Sequence, residues 1–368
     1  MKFSCEKTVL QNAINIASRA VAVKSSIPAL EGLLLVCAGG ELTVTGYNLQ
    51  LGVRTRFPVE ADEDGRLVLN AHLLGDIVRR MPDDTMTLST DGNTTVKLHC
   101  GDADFDIVSL PAEEYPELPE VEENNRIILP EKTLGAMIRQ TRFAVSTNEA
   151  RPVHMGSLFE VMADNLTVVS VDGFRLALRR EKLESACGVF SFVAPGAALA
   201  EVEKICEDVD ETARVTLGDR HILFEIGSTE LICRRLEGEF LDYKNAIPRR
   251  NPIKLSVDTK SMVESLDRVG VVISEKLKSP VRCLFQLNRV IFTAKTVNGE
   301  AKDVCRLVGD GRDLEIGFNN RYLSEALRYA PAETVMLELN SGISPAVIVP
   351  PDGDESFLYM VLPVRLKA

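Results

Sequence analysis

The side chains best suited to metal binding or nucleophilic chemistry are four histidines, His72, His99, His154 and His221, and eight cysteines, Cys5, Cys37, Cys100, Cys187, Cys206, Cys233, Cys283 and Cys305. None of the cysteines forms a Cys-x-x-Cys pair, and no histidine has a carboxylate or thiol at metal-ligand spacing. Most cysteines sit inside apolar runs such as "LLLVC" and "ELIC", where they read as buried free thiols. No Gly-rich phosphate loop precedes a helix, and no Gly-x-Ser-x-Gly is present. The acidic runs "VEADEDG" and "PEVEENN" read as solvated loops, the first without calcium-loop spacing. One segment stands out. "VDGFRLAL", residues 171–178, places an aspartate and a glycine beside an aromatic and an arginine, between two apolar runs. It could be a catalytic loop, a metal loop or a turn. Asp-Gly between alternating apolar runs is a strong hairpin signal, so Asp172 reads as a turn former.

The elements that position this segment follow from the rest of the chain. The 368 residues are 45% hydrophobic and 26% charged, an ordinary globular composition, and the length implies two or three domains. No run of about 18 apolar residues is present, so no membrane span is expected. The opening "MKFSCEKTVL" lacks the apolar core of a signal peptide, and a cytoplasmic protein is expected. Net charge is −12. Phosphates repel such a chain, so any nucleic-acid contact must be concentrated on one basic face.

A long repeat organises the sequence. "ELTVTGYNLQLGV" at Glu41, "NLTVVSVDGFRLAL" at Asn165 and "RVIFTAKTVNGEAK" at Arg289 each read as strand, polar turn, strand. Leu42, Leu166 and Val290 match at steps of 124 residues. The preceding segments repeat as a short strand and a helix, opened by Lys7-Thr8, Lys132-Thr133 and Lys260-Ser261. In the first helix Val9, Leu10, Ala13, Ile16 and Ala17 are expected on one face. A second helix and further alternating strands follow each hairpin. "PELPEVEENNR" and "IPRRNP" read as linkers. The expectation is an α+β fold of three like domains, 1–124, 125–250 and 251–368, each with two helices and antiparallel sheets on a shared core.

At this point the sequence resembles a known family. "SVDGFRLAL" in the second domain and "YMVLPVRL" at the C-terminus match the bacterial beta sliding clamp, as do "MKF", "SLPAEEYPEL", "GEFLDY" and "IGFNNRYL" in order. The resemblance covers the whole chain. It implies three tandem DNA-clamp domains and a head-to-tail homodimeric ring. Helices would line the lumen and sheets would form the outside, with duplex DNA threaded through. It implies a non-catalytic processivity factor without cofactor, opened and closed by a clamp loader. DNA polymerases and other proteins would be held through a short motif of a glutamine and two apolar anchors.

The resemblance also implies site residues. One wall of the partner-peptide pocket would be Val171, Gly173, Phe174, Arg175 and Leu176, and the other Met360, Leu362, Pro363, Val364, Arg365 and Leu366. His154, Leu241, Asn245, Ala246, Tyr322, Ile343 and Pro345 would complete the surround. Leu176 and Leu362 could equally be strand core. DNA would meet Lys24, Arg79, Arg80, Arg139, Asn148, Lys276 and Lys278. Other helix cations, among them Lys7, Arg19, Lys132, Arg268, Arg321 and Arg328, could equally be ordinary solvated charges. The dimer interface would use Phe105 and Ile107 against Val271 and Val272. Acidic Asp102, Asp104 and Asp106 would face Lys302 and Arg306, a sign-swapped arrangement relative to basic counterparts in relatives. Two other classes stay open: an enzyme with titratable groups converging in an interdomain cleft, and an inert structural repeat protein.

Overall fold

The computed structural model describes all residues except 91–93, 274–278, 298 and 367–368. Seven helices are described: α1 Lys7–Ala17, α2 Ala71–Arg80, α3 Glu131–Arg142, α4 Gly196–Ile205, the single turn α5 Tyr243–Ala246, α6 Thr259–Gly270 and α7 Asn320–Arg328. The fold is α+β, with antiparallel sheets throughout the paired strands.

Local chemistry sets the helix starts. Asn70 accepts from Leu73 N at 2.9 Å to cap α2, and Asp258 accepts from Ser261 N at 2.7 Å to cap α6. Asn319 accepts from Arg321 N at 3.0 Å to cap α7. In α1 the buried face is Leu10, Ala13, Ile14 and Ala17, while Val9 is 39% exposed and Ile16 half-buried. The expected stripe is therefore rotated by part of a turn. The i, i+3, i+4, i+7 set starting at Leu10 wins over the one starting at Val9 because it aligns Ile14 with Leu10.

Two compact units cut across the sequence repeats: Met1–Leu134 with Glu201–Arg235, and Gly135–Ala200 with Leu236–Ala368. The sheets explain the cut. In the first unit an eight-stranded sheet joins strands of the first and second repeats, through the seam where Leu51–Pro58 pairs with Thr229–Arg234. A five-stranded sheet ends on the strand Ala103–Val108. Its core includes Phe3, Leu10, Leu35, Val44, Leu74 and Leu98.

In the second unit a ten-stranded sheet joins the second and third repeats through the seam where Arg175–Lys182 pairs with Phe357–Val361. The register runs from Arg175 opposite Val361 to Arg179 opposite Phe357. One core of this unit gathers Phe285, Phe292, Phe318, Leu323 and Tyr359. A smaller one lies on the seam: Leu158, Val169, Val171, Leu176, Leu178, Val193, Tyr243, Val347 and Met360, with Leu362 packed against it. Alternation along the strands puts these side chains on one face. Cys37, Cys100, Cys233, Cys283 and Cys305 are buried, and Cys5, Cys187 and Cys206 half-buried; all eight are free thiols.

Candidate functional site

The segment singled out in the sequence closes the hairpin between the strands Asn165–Val171 and Arg175–Lys182. Asp172 carries two tasks in one carboxylate. Its Oδ1 accepts from Phe174 N at 2.9 Å and Arg175 N at 3.0 Å, which fixes the turn. Its Oδ2 accepts from Arg175 Nε at 2.9 Å. Gly173, at φ 89°, takes the left-handed conformation the turn demands. The turn projects Phe174 outward, 60% exposed, with one ring face stacked on Tyr322 of α7 at 6.1 Å between centroids.

Beneath that aromatic pair lies Arg175, whose side chain is only 6% exposed. Its guanidinium donates to Asp172, to Glu325 of α7 and to the Phe143 carbonyl just past α3. It also sits 4.4 Å from the Tyr322 ring centroid and 5.3 Å from that of Phe143. Glu325 accepts a second bond from Arg321 Nε at 2.9 Å. Partial burial pushes the Glu325 carboxyl up, but Arg175 and Arg321 outweigh it and hold it below the usual carboxylate range.

The opposite wall is the C-terminal strand and its extension. Leu362 N donates to the Phe174 carbonyl at 2.8 Å, so the seam continues one step past the strands. Val364 N donates to the Gly317 carbonyl at 2.8 Å. A Cβ on Gly317 would stand 2.5 Å from Leu366 Cδ2, so this position must be bare for the tail to lie there. Leu362, Pro363, Val364 and Leu366 are half-buried and Arg365 is exposed. Ala346 pairs with Val361, which brings half-buried Pro345 to the end of the seam, and Ile343 in the preceding turn is 78% exposed.

The structure thus brings Phe174, Tyr322 and Leu362 together as an open apolar shelf. It places Val171, Leu176 and Met360 beneath it as strand core, at 2%, 1% and 7% exposure. Those three support the shelf and present almost no surface. His154 is buried, with Phe240 edge-on at 5.4 Å; burial and then Arg151 push its imidazole below the ordinary value. Leu241, Asn245 and Ala246 are exposed on and around α5, and the Asn245 amide turns to Asp242 at 2.7 Å. Glu325, Phe143 and the second function of Asp172 escape a sequence reading. The only available signal for Glu325 was its i, i+4 spacing from Arg321.

The candidate DNA contacts divide into two kinds. Lys24, Arg139 and Asn148 are exposed, and neither Lys24 nor Arg139 forms an ion pair among the described residues. Arg79 and Arg80 are exposed at the end of α2, but both turn to Asp76. Other helix cations are also paired within the chain: Lys7 with Asp83 at 2.8 Å, Arg19 with Glu201 at 3.0 Å and Arg328 with Asp267 at 2.9 Å. Lys276 and Lys278 lie outside the described residues.

Two of the open strand edges among the described residues carry the residues expected at the dimer interface. Ala103–Val108 pairs only with Thr95–Cys100. Its Asp104, Phe105, Asp106 and Val108 are exposed. Ile107 corrects the sequence expectation: it is 8% exposed and packs in its own core opposite Val96, so Phe105, 41% exposed, is the apolar side chain this strand offers. In the second unit the strand Gly299–Phe318 pairs on one side with Val281–Thr296 and on the other bonds Ile253–Asp258 only at Ser256 opposite Val308. The edge from Glu300 to Leu307 is therefore free among the described residues. Lys302, Val304, Arg306 and Val308 line its exposed face. Val271, at the end of α6, is 84% exposed, whereas Val272 is half-buried against the core.

Comparison with known proteins assigns this geometry. Family models for the N-terminal, central and C-terminal domains of the DNA polymerase III beta subunit match residues 1–119, 128–242 and 244–365. The chain belongs to that family. It is 31% identical over 397 residues to the beta sliding clamp of Synechocystis sp., covering all of both chains. It is 30% identical over 380 residues to that of Halalkalibacterium halodurans, covering 99% of this chain and 100% of the relative. Among solved structures, the DNA polymerase sliding clamp of Bacillus subtilis superposes with TM-score 0.93 at 27% identity over the full length of both chains. A DNA polymerase III beta subunit from Eubacterium rectale gives 0.92 at 29% identity, over 99% of each. The three tandem clamp domains expected from the sequence are therefore present, and membership makes this chain a non-catalytic processivity subunit.

Proposed function

We propose that two copies of this chain close head to tail into a ring around duplex DNA, and that the ring tethers replicative and repair polymerases to their template. The reading is supported by one structural observation above the others: an exposed aromatic shelf, Phe174 on Tyr322 beside Leu362, in a chain whose three domains all match the clamp family. A linear motif gains affinity by setting apolar anchors on a preformed surface while a few polar groups fix its register. Half-buried Leu362 and Pro345 and exposed Leu241 and Ile343 supply further apolar surface in this unit.

DNA is held by enclosure rather than by grip. A trapped duplex leaves only when the ring opens, so a few weak contacts suffice and sliding stays cheap. Lys24, Arg139 and Asn148 are the described side chains best placed by exposure to give such contacts. The ion-paired arginines of α2 can exchange partners, because exposed pairs contribute only about 0–1 kcal/mol.

Closure uses the two open edges. In an antiparallel addition of Ala103–Val108 to the free edge of a second copy, acidic Asp104 and Asp106 meet basic Lys302 and Arg306. Val108 lies on the same face as Val304 and Val308, and Phe105 on the opposite face of the joined strands. A head-to-tail contact of this kind is heterologous and either closes on itself or grows into a fibre; closure pairs both of these edges. Loading onto circular DNA then requires a loader that opens this contact, and the ring acts in the cytoplasm, where bacterial replication occurs. The experiment is retention on nicked circular DNA after loading with a clamp loader and ATP. The protein should stay on the circle and run off once the circle is linearised. Equal retention on both forms would refute the ring.

A further inference from the structure

We infer that the Arg175–Glu325 ion pair is the positioning device of the peptide pocket: it holds the Phe174–Tyr322 shelf in place without itself touching the incoming peptide. The inference rests on the pocket reading above and adds Glu325, a residue outside the pocket walls.

The geometry leaves Arg175 little freedom to serve a ligand. Its side chain is 6% exposed, and Nε, Nη1 and Nη2 each donate to a different group: Asp172, Glu325 and the Phe143 carbonyl. Its planar face is covered by Tyr322 at 4.4 Å, with the Phe143 ring also within cation–π range. A guanidinium in this setting acts as a strut. It ties the hairpin turn to α7 and to the end of α3. Phe143 is in turn stacked on Tyr329 at 5.0 Å, and the Tyr329 carbonyl accepts from Tyr359 Oη at 3.0 Å on the C-terminal strand. The strut therefore reaches the elements that carry both walls.

Glu325 decides where the strut points. It is the one carboxylate on α7 that Arg175 reaches, and it is itself steered by Arg321 from the preceding turn. Tyr322 lies one turn before Glu325 on the same face of α7, so the ion pair fixes the ring on which Phe174 stacks. Phe174 has no other aromatic partner among the described residues, and its outer face is open. Without the pair the two rings lose their common support, and the peptide must order them as it binds. Ordering cost of this kind appears as weaker affinity.

The test uses the full-length dimeric protein and a fluorescein-labelled peptide carrying a glutamine followed by leucine and phenylalanine anchors, with Kd read by anisotropy. Two variants are compared with wild type: Glu325→Gln, which keeps the shape and loses the charge, and Arg175→Lys, which keeps the charge and loses the fork. Both should raise Kd by about tenfold, while the dimer persists in sedimentation and the thermal midpoint stays within a few degrees. Fluorotyrosine labelling gives a direct signature. The Tyr322 fluorine line, assigned with Tyr322→Phe, should shift in both variants before peptide is added. Wild-type binding with Glu325→Gln equally tight, or an unmoved Tyr322 line, would overturn the positioning role and leave the pocket standing. A wild-type protein that fails to bind the peptide would overturn the pocket itself, and the inference with it.

Discussion

Charge reversal on the open edge of the C-terminal domain tests ring closure most sharply. Lys302 and Arg306 lie on the same exposed face of the strand Gly299–Phe318, two residues either side of Val304. On the strand Ala103–Val108, Asp104 and Asp106 lie two residues apart on one face. An antiparallel pairing sets the two basic residues against the two acidic ones directly or on the diagonal, within the reach that cross-strand pairs exploit. Each exposed pair contributes about 0–1 kcal/mol, and like charges placed opposite cost a similar amount. Replacing Lys302 and Arg306 with glutamate removes two attractions and adds two repulsions. The expected loss is about 1–4 kcal/mol per interface; the contact occurs twice in a closed head-to-tail dimer, so the dimer loses about 2–8 kcal/mol, or roughly 30-fold to a million-fold in Kd. Sedimentation equilibrium at low and high salt reads this, with the effect shrinking as salt screens the edge. The complementary variant, Asp104→Lys with Asp106→Lys, should be equally monomeric alone. Mixed one to one, the two variants should form a heterodimer, because each then meets an oppositely charged edge at both contacts. A dimer Kd unchanged by reversal at low salt, or a mixture that stays monomeric, would refute the pairing.

Phe174→Ala combined with Leu362→Ala removes both exposed sides of the shelf; at about 2 kcal/mol for each hot-spot side chain it should weaken motif-peptide binding about 100- to 1,000-fold. The dimer should survive that change in sedimentation. Lys24→Glu with Arg139→Glu should lower occupancy on nicked circular DNA and flatten the salt dependence of duplex binding by about 0.9 per lost phosphate contact; an unchanged slope would remove these residues from the DNA-facing set. Glu325 is held below its ordinary range, first against burial and then by Arg175 and Arg321, with Asp172 the other carboxylate on the same guanidinium. A depressed carboxyl stabilises the fold above its unfolded value near 4.3 and loses that contribution as pH falls through its folded value. The gap in thermal midpoint between wild type and Glu325→Gln should therefore be widest near neutrality and close on acidification; a gap independent of pH would contradict the assignment.

Periodicity and turn chemistry make much of this fold legible. The step of 124 residues, the strand–turn–strand hairpins and the helix starts at Lys7, Lys132 and Lys260 all correspond to observed elements. Asp172 reads correctly as a turn former because the Asx turn is local chemistry. What sequence spacing cannot give is long-range. Glu325 is 150 residues from Arg175, and no local rule pairs them. Ile107 and Phe105 share a face of one strand, yet one is core and the other exposed, because the sheet covers only part of that face. Val171 and Leu176 look like pocket wall in sequence and are core in space. The two residues bracket the turn, and the turn residues between them do the presenting.

The repeat sharpens the question of why only one seam carries a shelf. The Leu51–Pro58 strand meets Thr229–Arg234 in the first unit much as Arg175–Lys182 meets Phe357–Val361 in the second. Its turn is even built alike: Asn48 Oδ1 accepts from Gln50 N at 3.1 Å and Leu51 N at 2.9 Å, and Leu49, at φ 70°, stands where Gly173 does. The difference lies in what surrounds that turn. Asn48 carries no charge to hold a guanidinium, and Leu51 occupies the place of Arg175. Leu118 from the following linker comes so close to Gly52 that a Cβ there would meet its Cδ2 at 2.4 Å, and Tyr115 Oη donates to the Thr45 carbonyl at 3.2 Å. The first seam is thus packed by its own chain, and its charges, Arg54 and Arg56 on Glu230, are spent within the sheet. At the second seam the aspartate–arginine–glutamate strut carries Phe174 outward, and Phe174 is 60% exposed among the described residues. Two differences in turn chemistry, Asn48 and Leu51 against Asp172 and Arg175, together with the covering Leu118 and Tyr115, separate a joint sealed by its own chain from one that leaves an aromatic side chain exposed.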